Sequence, residues 1–200
     1  RREDNVPITS NQFLEIMKSV MLTDKETLNG KLSLLLEKIK NSNLTFQQKK
    51  PRLLLTGSFQ DHPFLAEIIE EMGGNLVCED MCTRIRYFYE LVDMNSEDPV
   101  AALSKRYLEK PPCARMVDLE RRLSHILSLV KEFGIDGIIY YALKFDDPYL
   151  FEFPDLKEKL RKEEIPILFI ESDHKLGNIS QLKTRIQAFL ETLEVKPVFK

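Results

Sequence analysis

Cysteine is scarce: the 200-residue chain holds three, Cys78, Cys82 and Cys113. An odd number at that density argues against a disulfide scaffold and makes a reducing, cytoplasmic setting the default expectation. Long hydrophobic runs are also lacking. The longest, Ile135 to Leu143, is interrupted by Asp136 and Gly137 and falls well short of the roughly 20 residues that cross a bilayer. The N-terminus, Arg-Arg-Glu-Asp-Asn, has no apolar stretch of the secretory kind. Nor does one sign of charge dominate: 29 basic against 32 acidic residues leave a net charge of −3, which argues against a nucleic-acid surface. What remains, 43% hydrophobic and 30% charged, is the composition of one folded domain, alone or with a small appendage. A chain that opens on Arg1 and not on Met fits a piece cut from something larger.

Two grammars follow one another along the chain. After the cap-like pair Thr9-Ser10, residues Phe13, Ile16, Met17, Val20 and Met21 recur at helical spacing. Thr23-Asp24 then reads as an N-cap ahead of Leu28, Leu32, Leu35, Leu36 and Ile39. Residues 1–50 are therefore expected to be a helical hairpin and a polar linker, and 51–200 an α/β domain. The hairpin exposes an apolar face unless it docks on that domain or on another subunit. Beyond Pro51, short apolar runs alternate with amphipathic stretches: Leu53–Leu55, then Pro63–Met72; Asn75–Cys78, then Cys82 to about Leu108, helical with a break near 95–99. Asp118–Phe133 comes next, its Leu119, Leu123, Ile126, Leu127 and Val130 on one face and Gly134 beyond its end. Gly137–Tyr141, a helix from about Pro154 to Glu163, Ile165–Ile170 and Ile179–Leu193 complete the set. Wholly apolar strands alternating with helices predict a doubly wound, mainly parallel sheet of four strands.

In such sheets ligands gather at the carboxyl ends of the strands. The residues there are Thr56-Gly57-Ser58, Glu79-Asp80, Lys144-Phe145-Asp146-Asp147 and Glu171-Ser172-Asp173, with Arg84 and Arg86 just past the second strand. Thr56, Gly57, Ser58, Arg84, Arg86, Lys144, Glu171 and Asp173 are the candidate ligand-binding residues, each with capping as its alternative role. Thr56-Gly57-Ser58 could admit a phosphate to backbone N–H groups, although it is neither a Walker A loop nor a dinucleotide fingerprint. His62, His125 and His174 form no metal-spaced pair, His125 reading as a helix-surface or packing residue and His174 as a strand-end position with a ligand role as its alternative. Cys78 reads as a core residue, and the three cysteines fall short of the thiolates a cluster takes. No Ser-His-Asp or Cys-His triad can be argued from spacing.

The motifs LLLTGS at 53–58, GGNLVCEDMCTRIRYF at 73–88 and RYLEKPPCARM at 106–116 have a specific look. With ERRLSHILSLVKEFGIDGIIYYALKFDDPY at 120–149, IPILFIESD at 165–173 and QLKTRIQAFLE at 181–191, they resemble the C-terminal part of 2-hydroxyacyl-CoA dehydratase and benzoyl-CoA reductase subunits. The resemblance covers nearly the whole chain. It implies two related subunits, each holding a 4Fe–4S cluster, and an ATP-dependent iron–sulfur activator protein that delivers one low-potential electron. It further implies elimination of water from an (R)-2-hydroxyacyl-CoA through ketyl radicals, in an anaerobic metabolism. The β-hydrogen of a simple acyl thioester is too weakly acidic for a general base to remove, and an added electron at the carbonyl changes that.

Two positions depart from the family pattern. A cluster cysteine usually follows the Lys-Phe of the LKF motif, and here the residue is Asp146; the family's other cluster cysteines belong to an N-terminal domain. After Cys82-Thr83 the family has Gly-Ser, and here stand Arg84-Ile85. Three readings follow. In the first the chain is part of a working dehydratase or reductase with Asp146 as an oxygen ligand to iron. In the second it is a cluster-less scaffold or CoA-ester-binding partner subunit. In the third it is an unrelated domain that binds a phosphorylated ligand through Thr56-Gly57-Ser58. The cluster is expected to be absent or incomplete in this chain alone. No nucleic acid and no membrane is expected as a partner.

Overall fold

A computed structural model describes residues 1–2, 6–41, 50–60, 63–116, 118–173 and 178–195. Four strands, β1 (Arg52–Gly57), β2 (Asn75–Asp80), β3 (Gly137–Leu143) and β4 (Ile167–Ser172), form one sheet in the order β2-β1-β3-β4, parallel throughout. Because side chains alternate along a strand, Leu53 and Leu55 face one side of the sheet and Leu54 the other. On the first side they meet α3 (Phe64–Glu71) and α8 (Ile179–Val195) through Leu65, Ile69, Ile186 and Phe189. On the second, Leu54, Ile138 and Tyr140 meet α6 (Leu119–Phe133) and α7 (Asp147–Lys162) through Ile126, Leu129, Leu156 and Leu160. Burial on both faces is why the central strands carry no polar alternation. The sheet is doubly wound, as the alternation of elements predicts.

The two preceding helices, α1 (Ser10–Leu22) and α2 (Lys25–Asn41), are capped as the sequence suggests. Thr9 and Gln12 form a reciprocal capping box, and Asp24 accepts the Thr27 N–H at 2.8 Å. α1 lies beside α3 and the β2 edge, where the Ser10 N–H donates to Glu70 at 2.8 Å and the Ser10 hydroxyl to the Leu76 carbonyl. Leu14 and Met17 are buried there, whereas α2 buries Leu28 and leaves Leu34 and Leu36 exposed. The expected polar linker falls mostly outside the described residues.

Several element boundaries differ from expectation. The strand tips run further than their apolar runs: Glu79 and Asp80 pair with Leu55 and Thr56 inside the sheet, and Glu171 and Ser172 pair with Ala142 and Leu143. β4 starts at Ile167 and not at Ile165, since Pro166 has no N–H to donate. The stretch from Cys82 is not a long helix. It is a turn, a single helical turn α4 (Ile85–Phe88), irregular chain, and then α5 (Pro99–Glu109), which Asp98 caps by accepting from Val100 and Ala101. α7 begins at Asp147, seven residues before Pro154. Pro148 suits its first turn, and the buried Tyr149 anchors that turn on the sheet, which holds the helix through the bond that Pro154 cannot make.

Candidate functional site at the strand tips

Outward from β1 the chain winds to β2 on one side and to β3 and β4 on the other, so the crevice of the fold opens at the tips of β1 and β3. Gly57 ends β1 with φ at 132°, and a Cβ there would come within 1.9 Å of the Tyr141 carbonyl oxygen. Only glycine lets the two tips approach this closely. The Ser58 N–H donates to the Tyr141 carbonyl at 2.8 Å, and the Ser58 hydroxyl accepts the Leu143 N–H at 3.2 Å. The Thr56 hydroxyl donates to Asp80 at 2.9 Å. Thr56 and Ser58 thus face inward and join strands, and their polar groups are engaged within the protein. A phosphate bound at this turn would have to displace these bonds.

Behind the tips lies a buried ionic network centred on Asp80, which is fully buried. Arg86 donates to both its carboxylate oxygens, at 3.0 and 2.7 Å, His125 Nε2 lies 3.0 Å from Oδ1, and Arg122 Nη1 approaches Oδ2 at 3.5 Å. Burial by itself raises the Asp80 pKa, but Arg86, the His125 hydrogen bond and Arg122 together hold it well below the usual carboxylate range. An ionised carboxylate only accepts, so His125 Nε2 carries the hydrogen. Arg122 continues the chain of contacts, donating to Glu152 at 2.8 Å and to the Thr56 hydroxyl at 3.1 Å. The Tyr140 hydroxyl donates to Glu152 at 2.8 Å. Arg84 pairs with Glu79 at 3.0 Å, and Arg1 reaches the other Glu79 oxygen at 3.4 Å. Arg84 and Arg86 therefore do not add free positive charge to the rim; it is neutralised within the fold.

Tyr149 links this network to the surface. Its hydroxyl accepts from Arg86 Nη1 at 3.4 Å and lies 4.0 Å from Cys82 Sγ. Burial raises its pKa and Arg86 opposes that, leaving it pushed up to about 12. The Arg115 guanidinium lies over the other side of the site, 5.2 Å from the Tyr149 ring centroid, and pairs with Asp146 at 2.7 Å. Phe145, just before Asp146, has φ at 66° and is 90% exposed. A bulky residue in the left-handed region at a strand tip is backbone strain of the kind that clusters at functional sites.

Lys144, Glu171 and Asp173 do share an opening. Lys144 pairs with Asp173 at 3.2 Å across the tips of β3 and β4. With Asn178, Gln181 and Arg185 they line a cavity of about 320 Å³ against the start of α8. His62 and His174 lie outside the described residues. Reasoning from sequence missed Arg122, Arg115 and Tyr149, and gave His125 no partner. One signal was present: Arg122, Ile126, Leu129 and Phe133 make the buried stripe of α6, with His125 beside it, so two ionisable groups stand on an apolar face.

The motif series along the sheet and its tips has a match among known families. The model of the 2-hydroxyglutaryl-CoA dehydratase D-component aligns with residues 1–193. The chain belongs to that family. It is 31% identical over 188 residues to the (R)-phenyllactyl-CoA dehydratase beta subunit of Clostridium sporogenes, covering 93% of this chain and 49% of the relative. Identity to the (R)-2-hydroxyglutaryl-CoA dehydratase beta subunit of Acidaminococcus fermentans is 25% over 146 residues, 71% of this chain and 38% of the relative. Identity to a benzoyl-CoA reductase subunit of Thauera aromatica is 23% over 148 residues, 72% and 38%. The chain spans half or less of the length of these curated relatives.

Whether an iron–sulfur cluster fits is decided by the residues present. Among the described residues no three His, Cys, Asp or Glu side chains are grouped to hold a metal ion. Cys78 is in the core, where burial raises its thiol pKa well above the ordinary value. Cys82 is exposed beside Tyr149, and Cys113 packs against the second core. Asp146 is taken by Arg115. A cluster needs several thiolates, and the described residues do not fit one. Among the same residues no helix is long and apolar enough to cross a membrane.

Proposed function

We propose that this chain is part of a subunit that, with a homologous subunit, eliminates water from (R)-2-hydroxyacyl thioesters of coenzyme A, using an electron from an ATP-dependent activator. The observation that carries the reading is the family match along residues 1–193. The 31% identity to a dehydratase subunit supports the substrate class. No general-base triad is needed on this half, because ordinary base catalysis does not suffice for the β-hydrogen of an acyl thioester. Its task is to bind and orient. The open cavity supports that role: Lys144 and Arg185 bring positive charge, Asn178 and Gln181 bring amides, and Glu171 and Asp173 bring acceptors. This mixture suits the phosphates and the amide and hydroxyl groups of a coenzyme A handle. Lys144 would exchange Asp173 for a phosphate oxygen, a charge-assisted contact of the same kind. Thr56, Gly57, Ser58, Arg84 and Arg86 would serve as the floor that fixes the tips. Electron transfer to an aromatic thioester is the second reading, favoured by the similarity to a benzoyl-CoA reductase subunit.

The test is an anaerobic assay of the full-length protein with its homologous subunit, activator, ATP and a panel of (R)-2-hydroxyacyl-CoA esters, following enoyl-CoA formation. Lys144→Ala should raise KM about tenfold, the worth of one good charged contact, with kcat held. Consumption of benzoyl-CoA in place of every 2-hydroxyacyl ester, or no turnover of either, would sink the dehydratase reading.

A further inference from the structure

Resting on that reading, we infer that Asp146 is the ion-pair partner of Arg115 and not an iron ligand, so any cluster in the complex is held without this strand-tip loop. The resemblance puts a cluster thiolate where Asp146 stands. A carboxylate can bind iron in place of a thiolate, but it must point free lone pairs at the metal and be supported there by its neighbours. Here the neighbours do the opposite. Asp146 Oδ1 accepts from Arg115 Nη2 at 2.7 Å, and the Asp146 side chain is 9% exposed. The covering group is a cation, and a metal cation reaching that oxygen would face it directly.

The rest of the loop keeps the pair closed. The Asp146 N–H donates to the Leu143 carbonyl at 3.1 Å, and the Asp146 carbonyl accepts from Tyr149 and Leu150, so this residue starts α7. Arg115 arrives from the 3-10 turn Ala114–Met116 and lies over the Tyr149 ring. Tyr149 is buried and tied to Arg86. The nearby thiol Cys82 contacts Tyr149 and Arg86, with no hydrogen bond to Asp146 among the described residues. Where the resemblance would place an iron–sulfur ligand, the chain has built a neutral ion pair.

The full-length protein, co-produced anaerobically with its homologous subunit, gives the test. Iron and acid-labile sulfide are counted and Mössbauer spectra taken for the wild-type complex, for Asp146→Asn and for Asp146→Glu, with circular dichroism as the check on folding. The expected result is the same iron count and the same cluster spectrum in the wild-type complex and in both variants. A changed iron count or cluster spectrum in a folded Asp146→Glu complex would overturn the inference and leave the dehydratase reading standing. Loss of iron in a folded Asp146→Asn complex would overturn it too. A folded complex with no iron and no dehydration would overturn the dehydratase reading itself.

Discussion

Arg122→Met is the sharpest perturbation of the buried network. The side chain is 1% exposed and serves Glu152, Thr56 and Asp80 at once. Asp80 would keep Arg86 and His125, so its charge stays compensated. Glu152 would keep only the Tyr140 hydroxyl among its described partners, with 9% of its side chain exposed. Removing one partner of a buried pair costs about 3–5 kcal/mol, a large share of the roughly 5–15 kcal/mol that keeps a domain folded. Methionine fills most of the arginine volume, so the loss reports charge more than cavity. Urea unfolding followed by far-ultraviolet circular dichroism at neutral pH measures it as a lower midpoint with an unchanged slope. Adding Glu152→Gln should recover more than about 1 kcal/mol, because the uncompensated carboxylate is gone. A loss below about 1 kcal/mol for Arg122→Met, or a strictly additive double variant, would refute the view that Arg122 stabilises the fold by balancing Glu152.

Four further outcomes are expected. Gly57→Ala should leave the protein insoluble or destabilised by more than about 4 kcal/mol, since its Cβ meets the Tyr141 carbonyl at 1.9 Å with φ at 132°. Gly30→Ala, inside α2 with nothing within 4 Å, should instead gain about 0.5–1 kcal/mol in the same unfolding assay. Because Asp80 has a folded pKa well below its unfolded value of about 3.9, its contribution is fully present above that value and is lost as pH falls toward the folded pKa; stability measured from pH 5 down to pH 3 should therefore fall, and a flat profile would contradict the assignment. A disulfide reagent at neutral pH should label exposed Cys82 at once and Cys78 only after unfolding, and rapid labelling of Cys78 would mean that the β2 strand opens.

The sheet was legible because β1, β2 and β3 are buried on both faces, and that leaves runs such as Leu53–Leu55 and Gly137–Tyr141 without polar residues. The tips were not. Glu79 and Asp80 look like the start of a loop, yet they pair with Leu55 and Thr56 in the ladder. Their charges are tolerated there because Arg84, Arg86 and Arg122 come from elsewhere in the chain to neutralise them. Periodicity cannot show which arginine turns inward. The place of Arg84 and Arg86 just past the second strand suggests ligand-binding charge, whereas both side chains turn back to pair with Glu79 and Asp80. The helical expectation failed over 82–94 for the same reason, whereas beyond the expected break α5 forms. Two arginines drawn toward Glu79 and Asp80 hold the backbone in a turn, Arg84 itself lying at φ −117° and ψ −143°, outside the helical region.

The segment from Met81 to Phe88 contains one helical turn and sits at the mouth of the crevice, and the side chains that fasten it to the sheet are largely ionic. A core of apolar side chains tolerates volume-conserving exchange, but a buried ion pair tolerates the loss of neither partner. The position of Cys82, of Tyr149 and, through the Tyr149 ring, of Arg115 and Asp146 therefore depends on Asp80 staying ionised and doubly paired. Changes at Asp80 should be felt at the Arg115–Asp146 pair on the surface, whereas changes in the α3 and α8 layer, which packs on the opposite face of the sheet, should reach stability without moving that pair.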